Sequence, residues 1–188
     1  MTSAKKSSEK LTRYVAFLRG INVGGNNLIK MATLRSAFES YVFADVKTLI
    51  ASGNILFSAP AKPVNQLTKF LEENLEKTFG FSMGVLLRTT NQIAALAKSD
   101  PFKSVRHPPS AKLYVSFLSE KPKATLKLPY ESPEKDFKIV KVSDSEVFSI
   151  ALPLPNGRFG NSMAMIEKTF GKKVTTRNWN TVLKIAAL

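Results

Sequence analysis

The sequence predicts an α+β fold made of two halves in which strands and helices follow one another in a similar order. Short apolar runs of the length of buried strands alternate with stretches in which apolar residues recur every three or four positions, the spacing of an amphipathic helix. The 188 residues are enough for two small domains. Each such domain would bury only a modest core of its own.

The first half begins with a strand, a helix and a hairpin. The continuous apolar run from Tyr14 to Leu18 predicts a strand that is covered on both faces. From Met31 onward the apolar positions have helical spacing. Val46 to Ile50 and Ile55 to Phe57 are β-favouring segments, and Ser52 to Asn54 between them suits a tight turn. These two segments therefore predict antiparallel strands.

A second helix and a fourth strand complete the first half. Pro63 suits the first turn of a helix, and Gly80 supplies the left-handed residue that ends many helices. Val85 to Leu87 is the fourth strand, and Thr90 can cap a short helix after it. The order strand, helix, strand, strand, helix, strand is the split βαβ arrangement of ferredoxin-like folds.

The boundary between the halves is predicted in a proline-rich segment. In this interpretation residues 1–11 are a disordered tail, residues 12–99 are the ferredoxin-like half and residues 100–111 are a linker. Residues 112–188 form a degenerate second half, which ends in a helix that carries Trp179. In this half the segment from Lys121 to Pro133 replaces the first crossover helix.

Charge and composition narrow the classes of function. The chain has 28 Lys and Arg against 14 Asp and Glu, a formal net charge of +14, which favours nucleic acid or a phosphorylated small molecule as partner. Scattered charges that only keep the protein soluble are the alternative. The lack of cysteine excludes disulfides and thiolate metal sites and fits a reducing compartment. Without a signal-like N-terminus or an apolar run that could cross a bilayer, a cytoplasmic protein with no membrane partner is expected.

The sequence contains few residues in patterns that are typical of catalytic or metal sites. His107 is the only histidine and lies beside two prolines, so neither a Ser, His and Asp triad nor a histidine-rich metal site is predicted. The carboxylates have no diagnostic spacing for metal-assisted chemistry. No metal and no cofactor are therefore predicted.

The first candidate for an anion site is the glycine-rich loop from Arg19 to Asn27, where backbone amides can converge. It is not a P-loop, because Asn26 and Asn27 stand where the Lys and the Ser or Thr of that motif must be. Its glycines also lack the spacing of the dinucleotide fingerprint. The alternative is a loop that needs glycine only for its backbone angles.

The second candidate is the Ser52 to Asn54 segment, for which a simple hairpin turn is the alternative. The third runs from Thr175 to Thr181 around the only tryptophan, at a predicted helix start. Arg177 would hold a phosphate or carboxylate there with the help of the helix N-terminus, or else pair with a neighbouring carbonyl or carboxylate. The candidate residues of the three segments are Arg19, Asn22, Gly24, Gly25, Asn26, Ser52, Asn54, Arg177, Asn178 and Asn180.

Three of these motifs also resemble a known family. YVAFLRGINVGG at 14–25, ASGNI at 51–55 and TRNWNTV at 176–182 are similar to the bacterial domain-of-unknown-function family numbered 1697. The resemblance spans nearly the whole chain and implies an α+β protein with ferredoxin-like halves, without an established activity. In that family Lys or Arg often follows the glycine pair, whereas this chain has Asn26, which weakens a phosphate-binding role for that position.

Three functional hypotheses follow from the sequence. The leading one is a non-enzymatic cytoplasmic binding protein for nucleic acid or a nucleotide, which uses all three segments. The second is a small enzyme for a phosphorylated or carboxylated metabolite, in which Arg19 or Arg177 holds the anion and an asparagine polarises the reacting group. In the third, the segments are purely structural and hydrogen-bond to one another.

Overall fold

The computed structural model describes residues 10–188 and contains two separate antiparallel sheets with helices between their strands, so the α+β fold class is confirmed. The chain divides into two compact units, and the division lies between Thr89 and Thr90. Most of the predicted tail at residues 1–11 lies outside the described residues. Leu11, the last residue of that prediction, already belongs to the first strand.

The first unit follows the predicted order of elements. These are β1 (Leu11–Arg19), α1 (Met31–Ser40), β2 (Ala44–Leu49), β3 (Asn54–Pro60), α2 (Val64–Phe79) and β4 (Gly84–Thr89). The sheet order is β2-β3-β1-β4, with every neighbouring pair antiparallel. The central strand β1 therefore pairs with strands that lie far from it in the sequence.

The core of the first unit lies between one face of this sheet and its two helices. Alternate residues of β1 enter this core because successive side chains of a strand point to opposite faces. Leu34 and Phe38 of α1 pack there at a spacing of four, as do Leu67 and Leu71 of α2. Helix α2 ends as predicted, because Gly80 adopts a left-handed conformation with φ of 77°.

The second unit contains a five-stranded sheet and three helices. Its elements are α3 (Thr90–Ser99), β5 (Lys112–Leu118), β6 (Tyr130–Glu131), β7 (Phe137–Val142), β8 (Glu146–Ala151), α4 (Met163–Phe170), β9 (Val174–Asn178) and α5 (Trp179–Ala186). The sheet order is β6-β7-β8-β5-β9, and all pairs are antiparallel. No helix lies between β5 and β7, and the unpredicted strand β6 adds an edge to the sheet.

The division of the chain differs from the predicted linker at residues 100–111. Helix α3, which the sequence analysis placed in the first half, packs against α5 and belongs to the second unit. Phe102, inside the predicted linker, is buried, and its ring centroid lies 6.0 Å from that of Phe148 and 5.6 Å from that of Trp179. The prolines explain why this segment is irregular, but they do not prevent it from packing.

Two inner strands, β1 of the first sheet and β5 of the second, have nearly the same sequence over five residues. Residues 14–18 read YVAFL in β1, and residues 114–118 read YVSFL in β5. The valine of each run pairs across the sheet with an arginine, which is Arg88 in β4 and Arg177 in β9. In both units Nη1 of this arginine donates to the preceding carbonyl oxygen over 2.9 Å. This correspondence supports the interpretation of the second unit as a degenerate copy of the first.

We predict that Gly53→Ala destabilises the protein more than Gly80→Ala. Both glycines have a positive φ, so an alanine at either position brings backbone strain of about 1 kcal/mol. At Gly53 a Cβ would also lie 2.8 Å from Cδ1 of Ile21 and 2.9 Å from Cβ of Leu18, whereas nothing lies within 4 Å at Gly80. This overlap should lower the free energy of unfolding by about another 1–3 kcal/mol. Equal losses for the two variants in urea denaturation would contradict the prediction.

Candidate functional site

The glycine-rich loop and the Ser52 to Asn54 turn are neighbours in the first unit. Phe17 near the end of β1 pairs with Asn54 at the start of β3, so the loop and the turn lie at the same end of the sheet. The backbone N–H of Leu18 donates to the carbonyl of Gly53 over 2.8 Å, and Nδ2 of Asn22 donates to the carbonyl of Ala51 over 2.8 Å. The structure thus brings two of the three predicted segments together.

Asn22 holds the loop in place. Its Nδ2 donates to the carbonyls of Ala51 and Ile29, over 2.8 and 3.2 Å, and its Oδ1 accepts from the N–H of Ile29 over 2.8 Å. Both amide protons are therefore used within the unit. The φ of 53° at Asn22 lies in the left-handed region, which asparagine tolerates better than most residues.

Asn54 and Ser52 form the turn itself. Asn54 is fully buried, and its Nδ2 donates to the carbonyl of Leu49 over 3.0 Å and to Oγ of Ser52 over 2.9 Å. Ser52 is exposed. These bonds are those of the hairpin turn that the sequence analysis gave as the alternative to a binding role.

Gly24, Gly25 and Asn26 form the exposed tip of the loop. Val23 and Asn26 pair as an isolated bridge, and the N–H of Asn26 donates to the carbonyl of Val23 over 3.1 Å. Positive φ values of 60° and 79° at the two glycines suit a two-residue hairpin turn of the primed type. Within residues 10–188 the structure shows no partner for the N–H groups of Gly24 and Gly25.

The base of the loop is closed by hydrogen bonds. The N–H of Asn22 donates to the carbonyl of Asn27 over 3.2 Å, and Nδ2 of Asn27 donates to the carbonyl of Gly20 over 2.9 Å. Arg19, just before this base, is half-buried and already has an interaction partner. Among the predicted residues of the loop, the tip is therefore the part whose amides are open to a ligand.

The third segment belongs to the second unit, and its arginine is in a strand rather than at a helix start. Strand β9 runs to Asn178, and α5 begins at Trp179. Arg177 is only 8% exposed, and its Nη1 donates to Oγ1 of Thr175 over 2.7 Å and to the carbonyl of Thr176 over 2.9 Å. Burial lowers the pKa of Arg177 to about 10, because the charged form loses hydration. The guanidinium thus pairs with neighbouring oxygens, as in the alternative interpretation.

Asn178 is the N-cap of the last helix. Its Oδ1 accepts from the N–H of Asn180 over 2.9 Å, which satisfies one of the unpaired amides at a helix start. Asn180 is itself exposed, and Trp179 between them is 5% exposed and part of the core. The polar side chains of this segment therefore serve largely to cap the helix and to bond to neighbouring groups within the unit.

A pocket of about 420 Å³ in the second unit includes Thr176 of this segment in its lining. Cavities of this size hold small ligands. Strands β5 and β9 and the end of the loop before α4 supply its lining. The lining residues are Tyr114, Phe159, Gly160, Asn161, Ser162, Met163 and Thr176.

Strand alternation brings hydroxyl groups to one face beside this pocket. Tyr114 and Ser116 of β5 are two residues apart and share a face of the sheet with Thr176 of β9. The hydroxyl oxygens of Ser116 and Thr176 are 2.6 Å apart, and those of Ser149 and Ser162 are 3.1 Å apart. Thr176 and Ser162 of the lining therefore each have a hydroxyl partner just behind the pocket, Ser116 for Thr176 and Ser149 for Ser162.

Two donors of the lining have no hydrogen-bond partner within the described residues. Tyr114 is half-buried, and burial raises the pKa of its hydroxyl, so this group is protonated at neutral pH. Asn161 is exposed, and its Oδ1 accepts from the N–H of Met163 over 2.9 Å, which leaves Nδ2 open. Both groups can donate to an oxygen of a ligand.

Positive charge lies on one side of the pocket. Nζ of Lys112, at the start of β5, is 3.8 Å from the centroid of the Phe159 ring, which lines the pocket. Helix α4 begins at Met163, also in the lining, so the positive end of its dipole is close. Both features favour an anion.

Gly160 packs closely against Asp136, the residue just before β7. A Cβ at this position would lie 2.8 Å from Cγ of Asp136 and even closer to its backbone. The N–H of Gly160 donates to the carbonyl of Leu152 over 3.1 Å, and the N–H of Leu152 donates to the carbonyl of Asp136 over 2.8 Å. The carboxylate of Asp136 accepts from Oγ of Ser132 over 2.6 Å. Only glycine allows this close approach.

Among the lining residues, Thr176 alone lies in one of the three segments selected from the sequence. The sequence signal for the others is the run Gly160-Asn161-Ser162. Like the glycine-rich loop of the first unit, this run is polar, contains glycine and precedes a helix.

Metal ligands and membrane-spanning helices were also sought among the described residues. Residues 10–188 contain no cluster of three or more His, Asp or Glu that could hold a metal. His107 is exposed. No helix among these residues is both long and apolar enough to span a membrane.

Comparisons with known proteins give a family and a fold. The family model described as "Protein of unknown function (DUF1697)" matches residues 11–148, a range that includes the glycine-rich loop and Tyr114 but not Thr176. A conserved bacterial protein from Streptococcus pneumoniae is similar in structure, with a TM-score of 0.67 and 23% sequence identity over 95% of this chain and 98% of that one. This similarity shows the fold alone. No curated protein matches the sequence.

We predict that Asn22→Ala destabilises the fold and that Asn26→Ala does not. The first change removes three hydrogen bonds and leaves backbone groups of Ile29 and Ala51 without their partner, at a cost of about 2–4 kcal/mol. Asn26 is an exposed tip residue, so its loss should change the free energy of unfolding by less than about 0.5 kcal/mol. Chemical denaturation of both variants is the measurement, and similar values would disprove the structural role of Asn22.

Proposed function

Since the chain belongs to the DUF1697 family of proteins of unknown function, and membership brings no activity, we propose a function from the geometry of the second unit. The proposed function is binding of a small phosphorylated molecule, such as a nucleotide, by a cytoplasmic protein. The ligand occupies the pocket lined by Tyr114, Asn161, Ser162 and Thr176. The three segments selected from sequence are then mostly structural, apart from Thr176.

One observation carries this proposal. Two residues with open donors, Tyr114 with its hydroxyl and Asn161 with Nδ2, line one cavity of ligand size, and Nζ of Lys112 lies over the ring of the lining residue Phe159. Phosphate oxygens accept hydrogen bonds from neutral donors, and these bonds are stronger than bonds between neutral groups. The ring of Phe159 adds an apolar surface that a base or sugar can contact.

The charge of the chain supports the same ligand class. A formal net charge of +14 raises the local concentration of anions and speeds their association. The size of the pocket favours a mononucleotide over nucleic acid, because protein–DNA interfaces bury on the order of 1,000 Å² of protein surface or more. Binding of nucleic acid is therefore an outcome that the test below must separate from binding in the pocket.

Binding is better supported than catalysis. The described lining residues include no carboxylate, histidine or lysine, and Tyr114 is the one side chain among them of a type that serves in general acid–base catalysis. Arg177, which the enzyme hypothesis used to hold the anion, is buried on the opposite face of β9 from Thr176. The small-enzyme hypothesis therefore has fewer groups to rely on than the binding hypothesis.

We expect ATP to bind more tightly than adenosine in isothermal titration calorimetry, because the phosphates supply the acceptors. Tyr114→Phe should weaken ATP binding by about fivefold to tenfold through loss of one hydrogen bond to a charged group. The fold should tolerate this change, since the structure shows no hydrogen bond from that hydroxyl to any described residue. Unchanged affinity in Tyr114→Phe, with the thermal unfolding temperature preserved, would disprove the assignment of the pocket.

A matched pair of lysines separates the pocket from general charge attraction. Lys112 and Lys141 are both exposed, and each lies over a phenylalanine ring, at 3.8 Å and 6.0 Å from the ring centroid. The ring under Lys141 is not part of the pocket. Lys112→Gln should weaken ATP binding, and Lys141→Gln should not. Equal effects, together with tighter binding of a single-stranded oligonucleotide and a steep salt dependence, would instead indicate nucleic-acid binding through net charge.

A further inference from the structure

A second cavity, of about 450 Å³, lies in the first unit and shares no residue with the proposed binding pocket. It is formed where α1 ends, where β3 ends and where α2 begins. The residues that matter for its chemistry are Tyr41, Val42, Phe43, Lys62, Gln66 and Phe70. Its volume is in the range of small-molecule sites.

Three aromatic rings form one wall of this cavity. The centroid of Tyr41 lies 6.3 Å from that of Phe43 and 6.0 Å from that of Phe70, with interplanar angles of 90° and 86°. Phe43 and Phe70 are 6.0 Å apart at 74°. The hydroxyl of Tyr41 is 2.8 Å from Oγ1 of Thr78, which fixes the orientation of its ring. Phe70 keeps 41% of its surface exposed, so this preformed wall is open to a ligand.

Val42 is a second, independent sign of a site. It follows the last turn of α1 with φ of 64°, where glycine or asparagine is usual, and its N–H donates to the carbonyl of Glu39 over 3.1 Å. A β-branched residue in this conformation is strained. Its side chain is 90% exposed and so contributes nothing to the core, yet it lines the cavity. Strained residues of this kind cluster at ligand sites.

The cavity also has one positive charge. Lys62 is the one Lys, Arg, Asp or Glu of the lining, and it is exposed, with no ion pair to any described residue. By contrast, Lys69 of α2 has Glu73 at 3.8 Å. The side-chain amide of Gln66 is the polar neighbour of Lys62 in the lining. The cavity therefore combines an aromatic wall with a single unpaired cation.

We propose that this cavity binds a small planar aromatic molecule that carries a negative charge, such as an aromatic carboxylate. The ring of the ligand packs against Phe43 and Phe70, since aromatic rings attract one another in stacked and edge-to-face arrangements. The carboxylate faces Lys62 and the amide of Gln66. Val42 covers the ring from the end of α1.

The test uses two probes of equal shape and different charge, 2-naphthoate and 2-naphthylmethanol, with the full-length protein. Binding is followed by the amide resonances in a ¹H–¹⁵N NMR titration. We expect shifts concentrated at Val42, Gln66 and Phe70, and an affinity about fivefold higher for the anion. Equal affinity for the two probes would disprove the charge assignment. The absence of shifts at these residues at millimolar probe would disprove the site.

Matched variants locate the two parts of the site. Lys62→Gln should lower the affinity for 2-naphthoate to the affinity for 2-naphthylmethanol. Lys69 lies outside the lining, so Lys69→Gln should leave the affinity for both probes unchanged. Val42→Gly should lower the affinity for both probes by about fivefold. The unfolding temperature should stay the same or rise, because glycine removes the backbone strain. Unchanged affinity in Val42→Gly, or equal losses in the two lysine variants, would overturn the proposal.

Discussion

The arrangement of each sheet depends on one inner strand that is buried on both faces. In β1 and β5 the runs YVAFL and YVSFL lie between two antiparallel neighbours, and Val15, Phe17, Val115 and Phe117 are each completely buried. Fully burying one such side chain stabilises the fold by roughly 1.5–3 kcal/mol. Because every other strand of a unit aligns directly or indirectly on this strand, the loops and turns that could form a site are positioned by it.

The polar motifs at the ends of these strands satisfy the backbone where it leaves the sheet. Asn22 closes the glycine-rich loop, Asn54 closes the hairpin turn and Asn178 caps the last helix. A buried or half-buried backbone group without a partner destabilises the fold by about as much free energy as the loss of a hydrogen bond. Asparagine can supply the missing partner, so it is common at such positions whether or not a ligand binds. Density of polar residues therefore does not by itself distinguish a binding site from a structural motif. The proposed pocket relies instead on donors without a partner among the described residues, at Tyr114 and Asn161.

The two proposed sites differ in chemistry and use different features of the same architecture. The pocket of the second unit places hydroxyls from alternate strand positions beside a helix start and one lysine, which suits a phosphorylated molecule. The cavity of the first unit is mainly aromatic and depends on the irregular residues around the end of α1, where Val42 takes an unfavourable backbone conformation. In each proposed site one lysine supplies the positive charge, Lys112 in the second unit and Lys62 in the first.

The sequence by itself determined what depends on near neighbours in the chain: the α+β class, the order of elements in the first unit, the turn at Ser52 to Asn54 and the helix end at Gly80. Only the tertiary structure decided that α3 belongs to the second unit, that Phe102 packs inside a predicted linker, and that Arg177 is buried while Thr176 lines a pocket. The physical reason is that spacing and turn preferences act over a few residues. Burial, and the presence of Tyr114 and Asn161 in the lining of one pocket, depend instead on how segments distant in sequence pack. In addition, a difference of one residue along a strand decides which face of the sheet a side chain occupies.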